Sequence, residues 1–476
     1  MSHRKLLTLA LTTAGVLAMT AINIPASVAE DTGATETTEA SSADQYENSV
    51  VTIVVQLTDD APALADMKER VNAAVAAAVP GASATGLREY THALRGFAIT
   101  APASSLAAIR ATPGVKAAFV DRHSATIYNV YSPDSFSNKG KDHDPSLSTA
   151  MDMTAAAQAN HRGSGQVIEI IDTGFDTSHS AFAGSVEGAR LSQADVTSLT
   201  TTLGDGRGGG WVSPKIPFAY DYADGDADVT YPAPGEFPDQ TDDARYTHGT
   251  HVAALAASNG SEFRGAAPDA QLIMAKVLGN DDQNINDSVL LAALDDAAVL
   301  TPDVLVVSVG DDSGQNGDAL AVYADVYAAL ADKGIAINAP AGDYTSSAWG
   351  NWNSDNLPFA TDADFGAIIW PALDSNALAT ASLDEVKRTD GQPLPDASPS
   401  YFSSWGVTPD LRLKPEIAAP GGDVMSALPA GTYGRRAGTA EASAQVAGIA
   451  ALVRQRVAAD PAFAGMSAAE KNAVVT

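Results

Sequence analysis

Two side chains stand where acid–base chemistry could be done. Asp172 follows an apolar β-type run, in Ile171-Asp172-Thr173-Gly174, and His248 opens an Ala/Leu-rich helical stretch in Thr247-His248-Gly249-Thr250-His251-Val252-Ala253. An imidazole exchanges protons near neutrality, and a carboxylate on its second nitrogen fixes the tautomer. Taken singly, each residue has a plainer explanation. An aspartate at a strand end is ordinarily a turn residue. His248 and His251, three apart, could begin a metal site, but no third ligand lies at motif spacing and no metal is expected. Asp224, Asp226 and Asp228 alternate as in a calcium loop, but Val229 and Gly235 stand where Gly and Glu are needed. Weak structural calcium is the most that stretch suggests, and no other cofactor is expected. Gly206-Arg207-Gly208-Gly209-Gly210 does not join a strand to a helix, so it reads as a flexible loop, not a phosphate cradle. The absence of cysteine excludes thiol catalysis and thiolate metal sites.

The elements that must position these residues can be read from periodicity. Apolar runs at 167–171, 272–275, 304–307 and 335–337 alternate with Ala/Leu-rich helical stretches. That pattern predicts an α/β fold with a parallel sheet covered by helices on both faces, its site at the carboxyl ends of the strands. Val446, Ile449, Val453 and Val457 predict one buried face of a long helix, with Gly448 permitting close packing. Ser467-Ala468-Ala469-Glu470 is a capping box for a further helix. Upstream, residues 50–122 read β-α-β-β-α-β, a small split sandwich.

Composition narrows the partners. A chain of 476 residues with 45% apolar content can bury more than one core, and its formal charge of -30 argues against nucleic acid. Arg4 and Lys5 precede an apolar run from Leu6 to Met19, too short for a membrane span, and Ser27-Val28-Ala29 offers small residues at a cleavage point, so residues 1–29 are expected to be a signal peptide of a secreted protein. No other segment is long enough to span a membrane, and no membrane partner is expected. Residues 30–49 and 123–147 read as polar linkers, leaving 148–476 as the main body.

Several motifs in order then become specific. Asp172 in Asp-Thr-Gly and His248 in His-Gly-Thr-His-Val-Ala are followed by Gly265-Ala266-Ala267-Pro268 and Ser308-Val309-Gly310. Phe402-Ser403-Ser404-Trp405-Gly406, then Lys414-Pro415-Glu416-Ile417-Ala418-Ala419-Pro420-Gly421, and finally Gly438-Thr439 running into Val446-Ala447-Gly448 complete the series. Together they resemble the subtilase family of serine proteases, most closely the lactocepin, or cell-envelope proteinase, branch, and residues 50–122 resemble its inhibitory propeptide. The resemblance implies that Asp172 orients His248, the general base, and that Ser308, Val309 and Gly310 pair with an extended peptide or protein substrate. The chain's own propeptide would be a second partner.

Two positions depart from the family. Where it has Gly-Thr-Ser-Met-Ala, this chain has Gly438-Thr439-Ala440-Glu441-Ala442, and a methyl group cannot attack a carbonyl. Where it has Ala-Gly-Asn, this chain has Ala341-Gly342-Asp343, which replaces the oxyanion donor by an acceptor. In subtilisin, a relative, loss of the serine costs on the order of 10⁶ in turnover and loss of the oxyanion donor roughly 10² to 10³. The expectation is a secreted subtilase homologue that no longer cuts peptides. Two alternatives stand beside it: an active endopeptidase with Ser443 as displaced nucleophile, and a non-functional remnant truncated at its C-terminus. No wall anchor is expected, and an insert common in the branch is expected to be closed up near Gln392 to Asp396.

Overall fold

A computed structural model of the chain describes residues 49–121, 123–125, 148–233, 243–281, 284–310, 317–343, 368–386, 396–408 and 411–476. The expected signal peptide, almost all of both linkers and most of the closed-up insert lie outside them.

The N-terminal module has the expected order: β1 Val50–Leu57, α1 Leu64–Ala78, β2 Thr85–Tyr90, β3 Gly96–Pro102, α2 Leu106–Arg110 and β4 Val115–Val120. Its sheet is antiparallel in the order β2-β3-β1-β4. Side chains alternate along a strand, and β1 uses both faces. Ile53, Val55 and Leu57 join Met67, Val71 and Val75 of α1 in the module's own core, while Val54 turns toward the main body.

The main body is a seven-stranded parallel sheet. Its strands are β5 Val167–Asp172, β6 Phe218–Asp221, β7 Gln271–Lys276, β8 Val304–Val307, β9 Ala336–Pro340, β10 Ala377–Asp384 and β11 Ile417–Gly422. Their spatial order is β11-β10-β9-β8-β5-β7-β6. Among its helices are α3 Asp243–Ala257, α4 Asp287–Leu300, α5 Gly317–Asp332, α6 Thr439–Ala459 and α7 Ala468–Asn472. One face of the sheet packs Val167, Ile171, Leu305 and Ile337 against Leu291 of α4 and Tyr323 of α5. The other packs Ile168, Ile170, Val304 and Met274 against Leu255 of α3 and Ala447 of α6. This is the α/β architecture that the apolar runs predict.

Two expectations need adjustment. Strand β6 is not among the apolar runs read from periodicity. In α6 only Val446 and Val457 of the expected face are buried; Ile449 is half-buried and Val453 is 37% exposed. The N-terminal half of α6 is instead buried all round, from Thr439 to Gly448, because it runs against α3 as well as the sheet. Gly448 has the expected role: a Cβ there would lie 2.6 Å from the Ala256 carbonyl oxygen. The capping box is present, with Ser467 and Glu470 bonding reciprocally at the head of α7.

The module is bound to the body through helix α4. Asp295, fully buried, accepts hydrogen bonds from the amides of Thr91, His92, Ala93 and Leu94 at 2.8–3.0 Å. Tyr90 Oη donates to the Ser288 carbonyl at 2.9 Å, and the Ser288 amide donates to Asp121 Oδ1 at 3.0 Å. The latter satisfies an amide in the first turn of α4 that has no partner within the helix.

Candidate active site

Asp172 is the last residue of β5, and His248 lies in the second turn of α3. Their close approach depends on Gly249, where a Cβ would stand 2.2 Å from the Gly174 carbonyl oxygen and 3.2 Å from Asp172 Cβ. Asp172 Oδ1 accepts from His248 Nδ1 at 2.7 Å, from the Thr173 amide at 2.7 Å and from Thr173 Oγ1 at 3.1 Å. Thr173 Oγ1 is also hydrogen-bonded to the Arg245 carbonyl at 2.9 Å, which ties the strand end to the start of the helix. Burial by itself disfavours charge on His248, but the attraction and hydrogen bond of Asp172, aided by Glu441 and Asp343, lift its pKa to about 9. The imidazole is therefore held as a cation at neutral pH.

Ala440 is the second residue of α6, buried, with only a methyl group to present. Ser443 lies one turn further on and is fully buried; its Oγ has no hydrogen-bond partner, so it is not bonded to His248. Asp343 follows β9 and reaches the head of α6. Its Oδ1 accepts from the Thr439 amide and from Thr439 Oγ1, both at 2.9 Å, and Thr439 Oγ1 accepts from the Gly342 amide at 3.0 Å. An acid at this point satisfies an orphan amide and lies favourably at the positive end of the helix dipole. Burial raises its pKa, and Glu441 raises it further, against the Thr439 hydrogen bonds and His248, to about 7.

Ser308, Val309 and Gly310 follow β8 beside this pair. The Ser308 amide donates to the Ile171 carbonyl at 3.1 Å, its Oγ is buried without a partner, and Gly310 lies against Ile369 and Trp370. Strand ends β5, β8 and β9 and the heads of α3 and α6 thus carry all the residues singled out from sequence as one site.

Sequence reasoning missed Glu441. It is the third residue of α6, a position where an acid ordinarily turns outward to cap the helix. Here it is fully buried, neither carboxylate oxygen has a hydrogen-bond partner, and Oε1 lies 3.5 Å from His251 Nδ1. Burial pushes its pKa up, with His248 opposing. His251 is held neutral by burial, with Arg436 and His248 adding repulsion. The available signal was an acid inside a long run of small apolar residues.

The acidic stretch after β6 does not gather into one cage. The Lys276 ammonium pairs with Asp221 and lies 3.4 Å from Asp224 Oδ2, while Asp226 and Asp228 accept from nearby backbone amides. Among the described residues no group of three His, Asp or Glu side chains is placed to hold a metal ion. The glycine-rich loop corrects another expectation. Arg207 is only 4% exposed and makes two 2.9 Å hydrogen bonds to Asp296, so its part of that loop is anchored.

A buried Asp–His pair at the carboxyl ends of a parallel sheet, with a helix head beside it, defines the α/β class of serine-protease folds. Residues 163–475 match the subtilase family, and the chain belongs to that family. It is 28% identical to the PI-type proteinase of Lactococcus lactis subsp. cremoris over 275 residues, 54% of this chain but 13% of that protein. It is 28% identical to thermitase of Thermoactinomyces vulgaris over 300 residues, 61% of this chain and 75% of that one. A C5a peptidase of Streptococcus pyogenes serotype M3 is 32% identical over 128 residues, 26% of this chain and 9% of that one. Among solved structures, an S41 psychrophilic protease aligns with a TM-score of 0.45 at 25% identity, over 69% of this chain and 89% of that one. The family and branch expected from the motifs are borne out. The chain spans only about an eighth of the lactococcal relative's length. Among the described residues no helix is long and apolar enough to cross a membrane.

Proposed function

We propose that this protein is a secreted, catalytically inactive member of the subtilase family, able to hold an extended peptide in its cleft but not to cut it. The observation that carries the reading is Ala440 at the head of α6, on the helix where the family resemblance puts the nucleophile. Without an oxygen there, His248 has no proton to remove and no acyl-enzyme can form. Asp343 supports the same reading. Once ionised, its carboxylate accepts from the helix head and has no hydrogen to give to a developing oxyanion.

The basic, apolar and small-residue pattern of residues 1–29 makes them a signal peptide, and the family resemblance makes the N-terminal module a propeptide that stays attached, since self-cleavage would need the missing serine. No observation favours Ser443 as a replacement nucleophile, because its hydroxyl is buried and unbonded.

The test restores what is missing. Ala440→Ser, alone and combined with Asp343→Asn, is assayed on casein beside the wild type. The double variant should gain proteolysis that the wild type lacks, and the single variant should gain less. A double variant that folds and remains inert would count against these site assignments.

A further inference from the structure

We propose that the cleft beside Ala440 takes an alkylammonium group, a lysine side chain or the free amino terminus of a peptide, against the outer carboxylate oxygen of Asp343. The inference rests on the reading that the site no longer cuts peptides, and it names what the site holds instead.

The two oxygens of Asp343 are not equivalent. Oδ1 is committed to the Thr439 amide and hydroxyl. Oδ2 approaches Gly438, where a Cβ would lie 3.3 Å from it. Glu441 Oε2 comes within 2.5 Å of the same point, so two carboxylates crowd one end of the cleft. Glu441 is fully buried with both oxygens lacking hydrogen bonds, and its contact with His251 Nδ1, 3.5 Å to a neutral imidazole, leaves its charge uncompensated. Asp343 retains some exposure and Glu441 none, so a ligand would meet Asp343 first and feel Glu441 behind it.

Asp343 and Glu441 stand at this point, and the charges of the wider cluster around them can be counted. Asp172, Asp343 and Glu441 are acids; His248 is a cation already engaged with Asp172, and Arg436 donates through Nε to Thr247 Oγ1 at 3.2 Å. His251, 3.5 Å from Glu441, is neutral. Three acids thus face two cations, leaving the cluster short of one positive charge whenever all are ionised. An ionised carboxylate without a partner is costly inside a protein, so either a proton or a cation must supply it. A metal ion is a poor candidate, since no three described ligands converge. A compact ammonium carries the charge with three donors and no acceptor. A peptide carbonyl oxygen would instead be repelled by Asp343.

The test is calorimetric titration of the full chain at pH 8 with three otherwise matched peptides. One is acetylated and lacks lysine, one is acetylated with a single internal lysine, and one has a free amino terminus and no lysine. At least one ammonium-bearing peptide should bind tenfold or more tightly than the first, and which of the two does so identifies the source of the amine. That preference should disappear in Asp343→Asn and at pH 5, where Asp343 is protonated, and should weaken several-fold in Glu441→Gln. Circular dichroism establishes that each variant is folded. Equal affinity for all three peptides, no binding at all, or a preference that survives in folded Asp343→Asn would overturn the inference. Mass spectrometry of the recovered peptides separates the two claims. Cut peptides sink the inactive reading; intact peptides without an ammonium preference sink this inference alone.

Discussion

Replacing Asp343 by Asn should make the protein more stable at pH 8 than at pH 5, relative to wild type. The Asn side-chain oxygen can still accept from Thr439, so the link to the head of α6 is kept and only the charge is lost. The folded pKa of Asp343 is raised from 3.8 to about 7. A carboxyl whose folded pKa is raised adds stability at acid pH that is lost as pH climbs through the folded value. From pH 5 to pH 7 the folded state holds a proton that the unfolded chain has released, and each unit is worth ~1.4 kcal/mol. The wild type should therefore lose about 3 kcal/mol over this interval that the variant does not lose, an upper figure because Asp343 keeps some solvent contact. In a chain of this size that is a relative shift of roughly 3 °C in melting temperature. Thermal melts of both proteins at pH 5, 6, 7 and 8 provide the assay. Parallel curves would refute the account of this carboxyl and weaken the charge count behind the proposed ligand.

Other sites give independent checks. Glu169, in the middle of β5, is fully buried with both oxygens unpartnered, and burial raises its pKa well above the ordinary value, with Asp296 adding to the effect. Its stabilising contribution is present at acid pH and lost as pH rises through the folded pKa, so Glu169→Gln should flatten the alkaline side of a stability curve. Asp295→Ala removes the acceptor of four amides; it should cost on the order of 3 kcal/mol and speed hydrogen exchange at residues 91–94. Exchange rates unchanged there would mean that the module is held by other contacts. Gly249→Ala should destabilise by more than ~3 kcal/mol, because its Cβ would stand 2.2 Å from a carbonyl oxygen, and a normal melt would contradict that geometry.

Much of this was legible before any coordinates. The parallel sheet followed from apolar runs too continuous for a half-exposed strand, and Asp172 and His248 stood at a strand end and a helix start, where such folds gather their sites. What escaped depends on the third dimension. The burial of α6 cannot be read from helical period, since its first half is enclosed by elements distant in sequence and Val453 faces solvent as the helix emerges. Asp295 and Asp296 were two acids in an apolar helix, a signal of buried polar partners, but the partners are the amides of residues 91–94 and the Arg207 guanidinium, both far away along the chain. Glu441 stands where an acid ordinarily caps a helix, and only packing shows it buried.

The most direct test asks whether any hydroxyl in the site is reactive. Purified wild-type protein is treated with a fluorophosphonate probe and its mass measured, with the Ala440→Ser, Asp343→Asn protein as positive control. The account predicts an unmodified wild type and a labelled control. A stoichiometric adduct on the wild type, at Ser443 or any other serine of the cleft, would contradict it.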